Sequence, residues 1–173
     1  MISVSRPVRL AFKEQLALQF NTRLAEACEA FGVPSFSINF GALGPGEAPT
    51  FFDAPFTLLT FVDHLLEKKT GVPAMSLYGE GIQQKGYTNP VPFSGIITLG
   101  GHVFLKYALG TVDFESLAEA VETAIVGMVQ ESEDDNWAGA TYRDDLKVRT
   151  GDLVYSEDGA FYRTVQFELS FQI

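Results

Sequence analysis

The residues that most constrain this chain are 165–173. Every odd position there is apolar (Val165, Phe167, Leu169, Phe171, Ile173) and every even one polar (Gln166, Glu168, Ser170, Gln172). A period of two belongs to a pleated strand, so one face of this strand is buried and the other meets water or a partner. Just upstream, Leu153-Val154-Tyr155 and Phe161-Tyr162 flank Ser156-Glu157-Asp158-Gly159-Ala160, and Asp-Gly supplies the positive φ of a tight turn. The expectation is a β-hairpin whose apolar face is covered by helices.

The first candidate cover is near the start. Ser5 can cap a helix with Pro7 in its first turn, and Leu10, Phe12, Leu16, Phe20, Leu24, Ala27, Cys28 and Phe31 recur at helical spacing before Gly32 and Pro34 end it. The second candidate begins at Thr111 or Asp113 and buries Leu117, Val121, Ala124, Ile125, Met128 and Val129. It shows Glu115, Glu119 and Glu122 outward.

Between the helices, Phe36, Ile38 and Phe40 alternate with Ser35, Ser37 and Asn39, which predicts a short strand. Residues 41–50 are rich in Gly and Pro and read as an exposed loop. A helix is expected from Pro55 to Lys69, although the β-branched and aromatic content of Phe51 to Val62 also suits a strand leading into a short helix. Residues 71–95 read as a long loop with an edge strand at Ala74 to Tyr78. Ile96 to Leu109 predicts a long strand, with a bulge or bend at Gly100-Gly101 that would curve the sheet. Residues 131–140 carry Glu131, Glu133, Asp134 and Asp135 into a mobile acidic loop beside Trp137, and Lys147-Val148-Arg149 predicts another short strand. The fold class expected is α+β: a mainly antiparallel, curved sheet with helices packed on one face, in one domain spanning 1–173.

Few chemistries fit these residues. The formal net charge is −10, and the twelve Lys and Arg are scattered, which argues against holding nucleic acid by its phosphates. One cysteine, Cys28, allows no internal disulfide and reads as buried filler. Two histidines, far from that cysteine, cannot build a structural zinc site. The acidic run at 131–135 lacks calcium-loop spacing, Gly79-Glu80-Gly81 with Gly86 matches neither a phosphate loop nor a dinucleotide fingerprint, and no serine sits in a nucleophile elbow. Asp63 and His64 are the one pair to weigh as acid and base, but neighbours on a helix point about a hundred degrees apart. His102, beside the strand glycines, reads as a core residue. The expectation is no catalytic residue, no cofactor and no metal. No stretch is long and apolar enough for a membrane span, and charges near the start argue against a secretory signal, so a cytosolic origin is expected.

The order of elements is a long helix, a strand, a glycine-rich excursion, a long strand, an acidic helix and a hairpin closing on an alternating strand with Arg163 near its start. This layout is similar to the tail terminator proteins of long-tailed bacteriophages, above all over Ile96 to Val129 and Tyr162 to Leu169. The chain departs from the family pattern between Pro45 and Gly95. The resemblance implies a structural virion protein of the tail, assembled in the host cytoplasm. It would form a homo-oligomeric ring, usually a hexamer, that caps the tail tube and meets the head-side connector. DNA would cross its acidic lumen without specific binding. Other connector or tube proteins share the layout. The rival class is a small ligand-binding or thioester-type enzyme, which needs a pocket near Asp63 or His64 bounded by 71–95.

Overall fold

A computed structural model describes residues 5–53, 58–67, 73–87, 93–108, 112–133, 135–156 and 159–173. The first helix, α1 (Ser5–Phe31), buries Val8, Phe12, Leu16, Phe20, Leu24 and Cys28, a row spaced by four along one face. Leu10 and Phe31, expected in that stripe, are exposed instead. Leu10 is two residues from both Val8 and Phe12, which turns it to the far side of the helix. The helix ends at Gly32, φ 70°, where Gly32 N donates to Glu29 O and Val33 N to Cys28 O, the paired bonds of a left-handed C-terminal cap.

The expected strand at 35–40 is not one. That segment joins no ladder. Its backbone is held by side chains: Asn21 Nδ2 donates to Ile38 O and Ile38 N to Asn21 Oδ1, both at 2.8 Å, and Asn39 N donates to Thr50 Oγ1. A carboxamide presents one donor and one acceptor in a plane, as a strand edge does, so Asn21 replaces a neighbouring strand and Ile38 still enters the core.

Both readings of 51–69 hold part of the truth, because β1 (Phe51–Asp53) precedes a helix, α2 (Leu58–Glu67). The flanks at 54–57 and 68–72 lie outside the described residues. The larger correction is at 71–95. The strand expected at Ala74 to Tyr78 is present, but it runs on through residues expected to loop as β2 (Ala74–Tyr87), antiparallel to β3 (Phe93–Ala108) along its whole length and parallel to β1 at Met75 to Leu77. Its glycines mark irregularities within a strand rather than a loop, since the β2–β3 register shifts between Gly79 and Gly81 and again between Gln84 and Gly86.

Of the bulge or bend expected at Gly100-Gly101, the bulge is absent, because both residues pair in register on either side. Gly101 is small for another reason. A β-carbon there would lie 2.2 Å from Phe167 Cζ and 2.6 Å from the Ser76 carbonyl oxygen.

Helix α3 (Phe114–Glu131) is capped by Asp113, whose carboxylate accepts from Glu115 N and Ser116 N; Thr111 lies outside the described residues. Its expected stripe is buried as read. The last strand, β7 (Ala160–Gln172), is the hub of the sheet. One edge pairs with β3, and the other pairs in succession with β4 (Thr141–Tyr142), β5 (Lys147–Thr150) and β6 (Val154–Tyr155). Between β4 and β5 the Asp145 carboxylate accepts from Ser170 N at 2.8 Å and from Ser170 Oγ, filling a gap in the ladder.

The result is α+β: the described residues form three helices and a seven-stranded, mostly antiparallel open sheet. The main core lies between α1, α3 and one sheet face, where Val165, Phe167, Leu169 and Phe171 are buried. Trp137 closes it against Phe12 and Phe171, so the acidic turn after α3 is pinned at its far end rather than loose throughout. The two long helices share one face, as expected. The short α2 is an addition on the opposite face, packing Phe61, Val62 and Leu65 over Ala74 and Phe104.

Candidate functional site

The alternation of β7 determines what the open part of that second face carries. Gln166 and Glu168 point away from the main core, and the ladder sets partners beside them on every neighbouring strand. One row across the sheet reads Ser76 on β2, His102 on β3, Gln166 on β7 and Arg149 on β5. The next reads Tyr78, Gly100, Glu168 and Lys147. On this face lies a recess of about 260 Å³ lined by Tyr78, His102, Lys147, Arg149, Gln166, Phe167 and Glu168.

His102 sits where the cover provided by α2 ends. Its ring lies 6.0 Å from Phe61 and 5.2 Å from Tyr78, and it is 2% exposed. Neither ring nitrogen has a hydrogen-bond partner in the protein, and Ser76 Oγ, directly across the ladder, has none either. Burial pushes the imidazole down from 6.5 to about 4, so it is neutral near pH 7. Lys147 and Arg149 are exposed on the recess rim, and neither forms an ion pair with a described residue.

A second feature is the sheet edge at β6. Leu153, Val154 and Tyr155 are 45%, 38% and 62% exposed in succession, and among the described residues β6 pairs with β7 alone. Native edges usually carry charge, proline or a cover, so three apolar residues in a row on one are unusual.

The acid–base candidates stand apart from both features. Asp63 is exposed on α2, while the His64 ring packs on Phe52 with centroids 5.5 Å apart. The loop expected to enclose a pocket there is the strand β2 over 74–87. Cys28 is buried in the main core, where desolvation raises its thiol above the ordinary value. Among the described residues no group of three or more His, Cys, Asp or Glu is placed to hold a metal ion, and no helix is long and apolar enough to cross a membrane. Glu131, Glu133 and Asp135 are exposed.

Reading the chain alone assigned Lys147 and Arg149 only to a short strand and His102 only to the core. A partial signal was present: Lys147 and Arg149 are two apart, as are Gln166 and Glu168, so each pair lies on one face of its own strand, and the observed register puts both pairs on the same face. What could not be read was the register that adds His102 and Ser76. No family model matches the chain, and no curated protein matches it in sequence.

Proposed function

We propose that the chain is a structural subunit of a bacteriophage tail, a tail terminator that forms a ring capping the tail tube and joining it to the head-side connector. The observation that carries this reading is the apolar edge at β6. A subunit meant to stay alone exposes such an edge at the risk of uncontrolled pairing, whereas a ring subunit covers it with a neighbour. The order of elements supports the same reading, with two long helices on one face of an open, mostly antiparallel sheet. The net charge of −10 suits a lumen through which DNA passes without adhering. The task needs no catalytic side chain and no cofactor. Its partners are other copies of the chain, the tail tube and the connector.

Light scattering and negative-stain imaging of purified protein, alone and with tail tubes, test it. Closed rings are expected, hexameric by resemblance, and Tyr155→Lys is expected to abolish them while leaving the circular dichroism spectrum unchanged. A protein that stays monomeric with and without tubes, or that forms the same rings as Tyr155→Lys, overturns the reading.

A further inference from the structure

The recess at His102 is lined by a buried polar side chain that the protein leaves unmet. An imidazole that is 2% exposed with no partner for either nitrogen calls for a hydrogen-bonding occupant, because native interiors pair such groups. The rim adds charge. In a chain of net charge −10, Lys147 and Arg149 converge on one cavity without ion-pairing to a described residue, and Tyr78 and Phe167 give it a low-dielectric wall. Glu168 is the single carboxylate in the lining, so the three formal charges there sum to one positive.

We propose that this recess is a binding site for a small molecule bearing one oxyanion, a carboxylate or phosphate, that is held by Arg149 and Lys147 and hydrogen-bonded by His102 and Gln166. The guanidinium of Arg149 offers a two-pronged donor matched to such a group. Gln166, its cross-strand neighbour, adds an amide, and Glu168 accepts from a hydroxyl or ammonium on the same ligand while disfavouring polyanions. At about 260 Å³ the recess admits a molecule of a few heavy atoms rather than a nucleotide. The site is independent of ring formation, since it uses the open sheet face and not the β6 edge.

The test is a titration of the whole chain with inorganic phosphate and, separately, with lactate as a small hydroxycarboxylate. It is followed by the NMR signals of the His102 ring nitrogens and of Arg149 Nε. The expected result is a saturable, one-site shift at both groups with at least one of the two probes, and the tighter probe identifies which oxyanion is preferred. Arg149→Gln is expected to weaken binding about tenfold or more, as loss of a charge-assisted bidentate contact does, and Lys147→Gln less. Both residues are exposed, so neither change threatens the fold. Shifts that rise linearly without saturating for both probes, or binding that Arg149→Gln leaves unchanged, overturn the proposal and leave ordered water as the occupant.

Discussion

Phe167 lies against Gly101 so closely that the two residues occupy space only one side chain can fill. A β-carbon on Gly101 would sit 2.2 Å from Cζ and 2.5 Å from Cε1 of that ring, and 2.6 Å from the Ser76 carbonyl on the next strand. Gly101→Ala is therefore expected to destabilise the protein by roughly 1–3 kcal/mol or more, the range for forcing extra methyl volume into a packed interior. Adding Phe167→Leu should recover only part of the loss, because the Ser76 carbonyl is backbone and cannot swing away. Urea unfolding of the single and double variants checks both statements. Full recovery in the double variant would show that the ring alone sets the limit.

Opposite faces of β7 should respond differently to substitution. Phe167 and Phe171 are 2% and 0% exposed in the main core, so cutting either to Ala is expected to cost about 3–5 kcal/mol, enough to leave an ordinary domain marginal. Glu168 is exposed, and Glu168→Lys should leave the thermal midpoint within a few degrees of the parent. A Phe171→Ala variant that melts with the parent would remove β7 from the core.

His102 makes stability depend on pH in a definite direction. Its folded value is near 4 against about 6.5 when unfolded, so between these the unfolded chain binds the extra proton and stability falls as pH is lowered. The contribution is fully present above about pH 6.5, is lost progressively down to about pH 4, and amounts to up to about 3 kcal/mol. Charged groups lining the same recess are Lys147, Arg149 and Glu168. The difference between the urea midpoints of the parent and His102→Phe is expected to move steadily against the parent as pH falls from 7.5 to 4.5. Parallel curves would mean that His102 titrates normally in the folded protein.

Asn21 acts as a substitute strand for residues around Ile38. Asn21→Ala removes both 2.8 Å bonds and leaves the Ile38 N–H and C=O to find water or go unpaired, for an expected loss of about 1–3 kcal/mol. Asn21→Asp keeps the acceptor but not the donor and should fall between. Hydrogen exchange at the Ile38 amide is expected to speed up markedly in Asn21→Ala and little in Asn21→Asp. Equal protection in all three would show that burial of the Ile38 side chain alone holds the segment.

The sequence by itself determined α1, α3 and β7. Each has a long, regular apolar period ended by local chemistry: the Gly32 cap, the Asp113 cap and the turn at Gly159, φ 82°. Such patterns are local, so they can be read without knowing the neighbours. Tertiary structure alone decided the rest. Residues 79–87 prolong the strand legible at Ala74 to Tyr78 because β3 offers them a full ladder, although their own side-chain pattern is weak. Residues 35–40 have the pattern but pair with no strand, since Asn21 satisfies their backbone first. Gly100-Gly101 carries the signal of a bulge or bend, yet both residues pair in register, and the space at Gly101 is filled by a ring on the strand beside it. The recess at His102 depends on register across β2, β3, β7 and β5, residues far apart in the chain. Pairing between strands is a non-local choice, made by which edges are free and how the core closes, and no single stretch carries it.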